Sequence, residues 1–374
     1  MKHIAHLTTV HRPSSTRIFQ RQCRTLARSG YRVSLIARHT QGEIIDGVEF
    51  VPIPHHRNRI TRMTLGAWLA YRTACRLQAD LYHFHDPELL PVGVLLKLST
   101  RAQVVYDVHE NHAQKILGRK WLPGPLRRIA SLAVHLVERA SARAFDGIVA
   151  VTENIASQFS HSQTIVVRNY PLLEKLAQYS EDRQDDAHNR TLIYTGGLTW
   201  HRGIYQVIQA LSFVRTPQVR LTILGRSDGR RFEEEVEKLP GFRKVEYRGQ
   251  VPFEETYRRM SSAAIGFVCN QPGYDYDLAQ PNKLFEYMSA GVPVVASNFE
   301  LWREVVEDNE CGVTVDPTSP QQIAEAIDFL LGNPELRRTM GENGRRAVQE
   351  KYNWECEAEK LLSLYQELLN DAKH

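Results

Sequence analysis

The sequence predicts an α/β fold made of two doubly wound domains, and three observations support this fold class. The chain has 374 residues, which is more than a single ordinary hydrophobic core serves. Short apolar runs rich in β-branched residues alternate with helical patterns, as is typical of parallel sheets covered by helices. The alternation begins near the N-terminus and begins again after a polar stretch at residues 181–190.

The predicted strands of the first half are short and apolar. They are Ile4–Leu7, Val33–Ala37, Leu81–Phe84, Val104–Val108 and Ile148–Val151. Helical patterns fall between them, as in Ile18–Ser29 and Leu126–Arg143. Gly30 follows the first helix, where a glycine commonly ends one. We therefore expect a first domain over residues 1–170.

The strand and helix signals of the second half predict a second domain over residues 171–355. The candidate strands are Thr191–Tyr194, Val219–Leu224, Val245–Tyr247, Ala264–Val268, Val292–Ala296 and Gly312–Val315. Residues 356–374 carry an apolar helical stripe, and we expect this helix to cross back to the first domain. Doubly wound sheets bind ligands at the carboxyl ends of their strands, so a site is expected in a cleft shared by the two domains.

Composition excludes several classes of protein. Hydrophobic residues make up 42% and charged residues 24%, as in ordinary globular proteins. No apolar run is long enough to span a bilayer, and the N-terminus becomes polar too early for a signal peptide. The five cysteines are scattered without a C-x-x-C pair, which argues against disulfides or a zinc site. We expect a cytoplasmic protein.

The charge is distributed unevenly between the two halves. Residues 1–170 hold 23 basic and 11 acidic side chains, whereas the remainder holds 24 basic and 32 acidic ones. Two basic stretches without acids, His55–Gln78 and Asn111–Val137, are interleaved with Trp and Leu. Such segments suit a helix lying in an anionic headgroup layer, so we expect peripheral contact with the inner face of a membrane. Solvated helices packed on the sheet are the alternative; nucleic acid is not expected, because no recognised motif accompanies the charge.

The segment from Pro281 to Ala296 is the most specific in the chain. Proline suits the first turn of a helix, which places Asn282 and Lys283 where backbone N–H groups and the helix dipole attract an anion. Glu286 follows one turn later, where a carboxylate can accept two hydrogen bonds from a ribose diol. An ordinary amphipathic helix with a solvated Glu286 is the alternative.

A second candidate site is the glycine-containing loop Tyr194–Gly203, between a predicted strand and a helix. Gly196 and Gly197 let backbone approach a phosphate, and Arg202 at the helix start could neutralise a diphosphate. Such turns also occur for steric reasons alone. No G-x-G-x-x-G stands here and no P-loop consensus occurs anywhere, which disfavours NAD-dependent and P-loop enzymes.

His109 is the candidate catalytic histidine, because it follows the predicted strand Val104–Val108 at its carboxyl end. A structural histidine in a hydrogen-bonded loop is the alternative. His83 and His85 share a strand face but lack an evident third ligand, and Asp275 with Asp277 matches a metal-binding Asp-x-Asp signature over three residues only. We predict no metal site.

These segments together resemble glycosyltransferase family 4, retaining enzymes with the GT-B fold of two Rossmann-like domains facing a central cleft. The resemblance covers nearly the whole chain, and its segments are Arg17–Phe19, Gly30–Val33, Tyr106–Glu110, Thr195–Leu198 and Pro281–Val295. It implies transfer of a sugar from a nucleoside-diphosphate donor, with a UDP-sugar favoured and a GDP-sugar possible. The implied acceptor is a glycan or a lipid-linked acceptor in bacterial surface polysaccharide synthesis, and no cofactor or metal is required.

The resemblance also implies roles for individual residues. His109 would contact the donor sugar, Arg202 and Lys283 the diphosphate and Glu286 the ribose, and these four form the predicted catalytic set. The predicted donor-binding set is Ser15, Arg17, Gly196, Gly197, Arg202, Gly225, Val251, Asp277, Asn282, Lys283 and Glu286.

Three positions depart from the family pattern. Leu278 stands where the first glutamate of Glu-x7-Glu would fall, and the adjacent Asp277 could substitute for it. Gly197 replaces the usual arginine of Gly-Arg-Leu, and Ser14–Arg17 replaces a glycine pair, so that Arg17 is expected to take over a phosphate contact. These departures leave open a nucleotide-sugar epimerase or phosphorylase of the same fold, or a non-catalytic nucleotide-sugar-binding module.

Overall fold

The computed structural model describes residues 1–56, 58–118, 123–174, 188–273 and 276–371. The chain forms two compact units. The first consists of Met1–Asn169 together with Trp354–His374, and the second of Tyr170–Asn353. The sequence places these two boundaries after residues 170 and 355.

The first unit contains an eight-stranded sheet in the order β3-β4-β2-β1-β5-β6-β7-β8. All neighbouring strands are parallel except β3, which runs antiparallel to β4 at the edge. The strands are β1 (His3–Leu7), β2 (Arg32–Arg38), β3 (Glu43–Ile45), β4 (Val48–Ile53), β5 (Leu81–Phe84), β6 (Gln103–Val108), β7 (Gly147–Ala150) and β8 (Thr164–Val166).

Helices connect these strands, and a π-helical segment, Thr16–Cys23, leads into the first of them. The helices are α1 (Arg24–Arg28), α2 (Arg59–Thr61), α3 (Ala67–Leu77), α4 (Leu90–Ser99), α5 (His112–Leu117), α6 (Gly124–Ala142) and α7 (Glu153–Ala156). A second π-helical segment, Arg62–Gly66, joins α2 to α3, and the 3-10 turn Pro87–Leu89 precedes α4. One face of the sheet packs its apolar side chains against these helices, with Tyr82, Phe84 and Tyr106 fully buried.

The second unit contains a six-stranded, wholly parallel sheet in the order β11-β10-β9-β12-β13-β14. Its strands are β9 (Thr191–Thr195), β10 (Arg220–Leu224), β11 (Val245–Tyr247), β12 (Ile265–Val268), β13 (Val294–Ser297) and β14 (Gly312–Val315). Its helices are α8 (Ile204–Ala210), α9 (Arg230–Glu237), α10 (Phe253–Ser261), α11 (Asn282–Ser289), α12 (Glu300–Asp308), α13 (Pro320–Gly332) and α14 (Pro334–Glu350). The predicted α/β class with two doubly wound sheets is confirmed, and each predicted strand is present.

The last helix, α15 (Trp354–Asp371), belongs to the first unit although it follows the second in sequence. Leu364 and Leu368 reach Gly147 of β7, where an added Cβ would lie 3.3 Å from a Leu368 methyl group. Tyr365 is fully buried and its hydroxyl contacts Nδ1 of His83. The helix therefore completes the core of the first unit. None of the helices that the structure describes is long and apolar enough to cross a bilayer.

The strand order reverses once in each sheet, and these points locate the candidate sites. In the second sheet, the chain runs outward from β9 to β11 and then returns to β12 on the other side of β9. In the first sheet, β1 lies between β2 and β5 in the same way. The crevice at the carboxyl ends of two such strands is where doubly wound sheets bind ligands.

Candidate active site

A cavity of about 510 Å³ lies at the carboxyl ends of β9 and β12 in the second unit. Five of the predicted site residues line it: Gly196, Arg202, Asn282, Lys283 and Glu286. They come from two segments 80 residues apart in sequence, the loop after β9 and the first turns of α11. The fold therefore brings the two strongest sequence candidates into one site.

Glycines shape the loop after β9. Gly196 has φ +116° and Gly225 has φ +148°, both outside the range that other residues favour. A Cβ on Gly225 would lie 1.9 Å from the carbonyl oxygen of Gly196, so the two backbones are in direct contact. The N–H of Gly225 donates to the carbonyl of Gly249, and that of Gly196 donates to Leu224. The absence of a side chain at Gly225 thus lets its backbone pack directly against the loop that contains Gly196.

Arg202 lies over this glycine loop. Its Nη1 is 3.0 Å from the position that a Cβ on Gly196 would occupy and 3.9 Å from that on Gly197. A 3-10 turn, Trp200–Arg202, sets the direction of the side chain, and Gly203 ends the turn with φ +69°. The guanidinium is half-buried at the rim of the cavity, where it can form paired hydrogen bonds with a phosphate.

Lys283 presents a second cation to the same cavity. Its side chain is buried, Nζ lies 4.2 Å from the centre of the Tyr194 ring, and Nζ donates no hydrogen bond to any described residue. Burial, and then the charge of Arg202, lower the pKa of Lys283 to about 7. A buried ammonium beside a guanidinium is short of negative charge, and a diphosphate would supply it.

The docking of α11 fixes Lys283 and places Glu286 one turn further along the cavity wall. The hydroxyl of Tyr287 accepts a hydrogen bond of 2.8 Å from the backbone N–H of Thr195 at the end of β9. Gly266 of β12 makes room for the Tyr287 ring, since a Cβ there would lie 2.6 Å from it. The helix is therefore held against the two strands whose ends form the site.

Proton uptake on binding of a nucleoside diphosphate is the expected signature of Lys283. A bound diphosphate favours the ammonium form, so the pKa of Lys283 should rise above 7 in the complex. At pH 8 binding should take up a proton, and the dissociation constant of the nucleoside diphosphate should increase as the pH rises above 7. Isothermal titration calorimetry in two buffers of different ionisation enthalpy measures the uptake. The Lys283→Met variant should show none, and an absence of uptake in the wild type would contradict the assignment.

The cavity also contains residues that the sequence analysis did not select. Asn270, two residues beyond β12, is 3% exposed, and its Oδ1 is buried with no hydrogen bond from the described residues. Trp302 donates a hydrogen bond from Nε1 to the backbone carbonyl of Ala279. This bond holds the backbone segment that precedes Pro281. A polar residue just after a buried strand is the signal that could have identified Asn270.

Other predicted donor-binding residues lie outside the set that lines the cavity. Val251 is partly buried and packs on the core of the second unit. Asp277 is exposed in the 3-10 turn Tyr276–Leu278, in which Leu278 is 41% exposed. Asp275 lies outside the described residues, so the Asp-x-Asp pair cannot be located as a whole.

Three predicted site residues belong to the first unit: Ser15, Arg17 and His109. The surroundings of Arg17 differ from those that its predicted role requires. Arg17 is 6% exposed, and its Nε and Nη2 donate to the carboxylate of Asp107. Its Nη1 donates to the backbone carbonyl oxygen of Val167 and to the side-chain Oδ1 of Asn169. Because the guanidinium is already used by these partners, the structure does not favour the predicted phosphate contact. Ser15 accepts a hydrogen bond from the backbone N–H of Ile18 and caps the π-helical segment.

His109 follows β6 and is the most exposed member of a buried histidine cluster. Its side chain is 14% exposed, and its Nε2 lies 3.2 Å from Oδ2 of Asp107. The expectation that His83 and His85 lack a third partner is wrong: His6 on β1 lies beside both, with ring nitrogens of the three within 4.8 Å of one another. Hydrogen bonds join His6 to His85 and His83 to Tyr365.

Comparison with known proteins finds similarity over nearly the whole chain. The family model described as a glycosyl transferase 4-like domain matches residues 15–168, and that of the glycosyl transferases group 1 matches residues 177–347. The chain is 25% identical over 346 residues to a phosphatidyl-myo-inositol mannosyltransferase of Mycobacterium tuberculosis, covering 86% of this chain and 83% of the relative.

Two solved structures show the same fold. Sucrose-phosphate synthase from Thermosynechococcus elongatus superposes with a TM-score of 0.75 at 21% identity, covering 99% of this chain and 100% of that chain. HepE from Anabaena, in complex with UDP-glucose, superposes with a TM-score of 0.74 at 15% identity, covering 98% and 100%. The predicted GT-B fold is confirmed.

Proposed function

Because the chain belongs to glycosyltransferase family 4 and is a retaining glycosyltransferase that uses a nucleotide-sugar donor, we propose that it transfers a hexose from a UDP-sugar to a glycan or lipid-linked acceptor. One observation carries the proposal. Arg202 and the buried Lys283 converge on a glycine loop, with Glu286 one helical turn away. This spacing fits a diphosphate followed by a ribose. The relative crystallised with UDP-glucose supports a UDP-sugar, and the phosphatidyl-myo-inositol mannosyltransferase supports a lipid acceptor.

The mechanism follows from the charges in this cavity. As the bond from sugar C1 to the phosphate oxygen breaks, negative charge develops on the leaving diphosphate. Arg202, Lys283 and the N-terminus of α11 can stabilise that charge without a metal ion. The acceptor hydroxyl attacks C1 from the side of the leaving group, and the departing phosphate oxygen takes its proton. The configuration at C1 is therefore retained.

A panel of UDP- and GDP-sugars, each with and without acceptor, tests this proposal. We expect nucleotide release that depends on acceptor, a product with retained anomeric configuration by NMR, and little loss of transfer in EDTA. An epimerase would instead convert the donor without acceptor, and a phosphorylase would require inorganic phosphate. Tight nucleotide binding with no turnover on any acceptor would indicate a non-catalytic binding module. Loss of transfer in EDTA with rescue by Mn²⁺ would contradict the proposal that Arg202 and Lys283 replace a metal ion. That result would favour metal binding by Asp277.

A lipid-linked acceptor is also favoured by an exposed apolar stripe on α6. Its members are 53 to 65% exposed and lie on one helix face: Leu126, Ile129, Leu132, Leu136 and Val137. Arg128 is exposed beside them, and the one acid of α6, Glu138, is buried against Tyr106 and His112. Among the residues described, α6 therefore presents apolar and basic groups without acidic ones, as suits an anionic membrane surface. The predicted basic and apolar residues Arg119, Lys120, Trp121 and Leu122 lie outside the described residues.

Liposome co-sedimentation tests membrane binding by α6. Binding should require anionic lipid and weaken with salt. Replacing Ile129 and Leu132 with serine should lower the partition coefficient about tenfold or more, because two exposed side chains would no longer insert. Ile44→Ser is the matched control, because Ile44 is 74% exposed on β3. β3 is an edge strand of the first sheet and lies at the opposite end of the strand order from β6 and β7, which α6 connects. Equal recovery with neutral and anionic liposomes would contradict membrane binding.

A further inference from the structure

Asn270 is a buried polar residue in the wall of the cavity of the second unit. The residue is 3% exposed, and its Oδ1 is buried without a hydrogen bond from any described residue. A carbonyl oxygen in that state costs free energy, and native structures rarely keep one without a function. Because Asn270 lines the cavity, a ligand bound there can supply the hydrogen that Oδ1 lacks.

The backbone at Asn270 is held from two sides. Its carbonyl oxygen accepts a hydrogen bond of 2.7 Å from Oγ of Ser297, at the end of the neighbouring strand β13. The next residue, Gln271, donates from its backbone N–H to the carbonyl of His201 and from Nε2 to the carbonyl of Pro317, each at 2.8 Å. The amide therefore extends from a fixed backbone, as suits a residue that selects a ligand.

Backbone contacts also place Asn270 beside the turn that carries Arg202. The residues that flank Arg202 contact the residues that flank Asn270: His201 with Gln271, and Gly203 with Cys269. Arg202 marks the part of the cavity where the proposed donor places its diphosphate. In a nucleotide sugar the transferred sugar is joined to that diphosphate, so Asn270 lies where the sugar is expected.

The diphosphate satisfies the cations of the cavity but not Asn270. Ionised phosphate oxygens only accept hydrogen bonds, and the carbonyl oxygen of an amide also only accepts. The hydrogen atoms that a UDP-sugar can donate belong to the ribose, the uracil and the transferred sugar. Glu286 is the proposed partner of the ribose diol, and the uracil lies beyond the ribose, away from the diphosphate. The hydroxyl groups of the transferred sugar remain as donors to Oδ1.

Leu278 gives a reason why this chain would use such an acceptor. The family pattern has a glutamate at this position, whereas Leu278 is apolar and 41% exposed. Asp277 is exposed and is not among the described residues that line the cavity. Gln280 does line it, but its Oε1 accepts a hydrogen bond of 3.1 Å from the hydroxyl of Tyr170. None of these three offers a buried acceptor without a partner, as Asn270 does.

We infer that Asn270 selects the transferred sugar, with Oδ1 accepting a hydrogen bond from one hydroxyl group of that sugar. The inference rests on the proposed transferase function and adds to it a specificity-determining residue outside the family pattern. A sugar without this hydroxyl would leave the amide buried and unpaired in the complex, so the site would reject it. Binding of the nucleoside diphosphate alone should not depend on Asn270.

Isothermal titration calorimetry compares a nucleotide sugar with its nucleoside diphosphate. The panel is UDP-glucose, UDP-galactose, UDP-N-acetylglucosamine and GDP-mannose, and the sugar that the wild type binds most tightly is used for the variants. We expect Asn270→Ala to weaken binding of that sugar about 10- to 100-fold and binding of the matching diphosphate less than about twofold. Equal weakening of both ligands, or of neither, would overturn the inference.

Deoxyfluoro nucleotide sugars identify the hydroxyl group. Fluorine cannot donate a hydrogen bond, so its presence at the recognised ring position should weaken wild-type binding about 10- to 100-fold. Asn270→Ala has already lost the acceptor, so the same analogue should lose less than about twofold in that variant. Additive losses at every ring position would contradict a hydrogen bond between Oδ1 and the sugar.

Stability distinguishes a ligand-binding asparagine from a structural one. Because Oδ1 has no partner among the described residues, Asn270→Ala should leave the urea midpoint of the second unit unchanged or higher. Asn353→Ala is the matched control, since Asn353 is 2% exposed in the same unit and its Nδ2 donates to the carbonyls of Val348 and Gln349. It should lower the midpoint and leave both dissociation constants unchanged.

The outcomes separate this inference from the proposed function. A wild-type protein that transfers sugar, together with an Asn270→Ala variant that binds the donor equally well, would leave the proposed function standing and overturn the inference. A wild-type protein that binds no nucleotide sugar of the panel would contradict the proposed function and the inference with it.

Discussion

Replacing Arg202 with alanine should lower kcat/KM for the donor by about 30- to 1,000-fold, which corresponds to roughly 2 to 4 kcal/mol of transition-state stabilisation. The guanidinium lies over the Gly196–Gly197 backbone, where the charge of a departing diphosphate would develop. Its loss would leave Lys283 as the remaining cation of the cavity, and because the charge of Arg202 lowers the pKa of Lys283, that pKa should rise in the variant. Since the charge that Arg202 stabilises develops only in the transition state, the effect should appear mainly in kcat.

Matched variants separate this role from a general loss of charge. Arg230→Ala removes an arginine of α9 that is 90% exposed and paired with Glu234, and it should leave kcat/KM unchanged. Arg202→Lys keeps a charge but loses the planar fork, and we expect an intermediate loss. Glu286→Ala should weaken nucleotide binding with a smaller effect on kcat. Turnover close to that of the wild type in both Arg202→Ala and Glu286→Ala would refute the site.

Gly203→Ala should lower the free energy of unfolding of the second unit by about 2 to 5 kcal/mol. Two causes add. The backbone at Gly203 has φ +69°, which costs a residue with a Cβ about 1 to 2 kcal/mol. The new Cβ would lie 1.7 Å from the carbonyl oxygen of Cys269, so the loop after β9 and the end of β12 must separate, at about 1 to 3 kcal/mol.

Gly249→Ala carries the first cause alone, so the difference between the two variants measures the second. Gly249 has φ +67°, nearly the same conformation, but nothing lies within 4 Å of its added Cβ. It should lose only the conformational part, about 1 to 2 kcal/mol. Urea denaturation followed by tryptophan fluorescence compares the two, with the units fitted as separate transitions if they unfold separately. Equal destabilisation by both variants would show that the contact with Cys269 has no cost.

Strands that are buried on both faces could be predicted from the sequence, because their apolar runs need no partner to be recognised. β5 (Leu81–Phe84), in which all four residues are buried, has the predicted bounds. The strands β3, β4 and β8 were missed. β3 and β8 have three residues each, and β4 contains Pro52 and alternates buried with partly exposed positions. Short or edge strands depend on pairing with a neighbour, and that pairing is not encoded locally.

The site was predictable where local sequence determines the geometry. Arg202 and Lys283 each belong to one turn, whose glycine or proline sets the backbone. Arg17 was placed differently because its partners Asp107 and Val167 are 90 and 150 positions away. His6 was not connected with His83 for the same reason: the contact exists only because β1 pairs with β5. Long-range pairing decides which polar side chains share a sheet face.

The position of α15 has a consequence for the order in which the chain matures on the ribosome. The first 169 residues emerge without the helix that covers Gly147 and contacts His83, whereas the second unit is continuous in sequence. At about 5 to 20 residues per second, synthesis of the remaining residues takes roughly 10 to 40 seconds. During that interval the part of the sheet face that α15 covers stays exposed and available to chaperones. The unit whose strands are made first is thus finished only after the second unit, when residues 354–371 have been made.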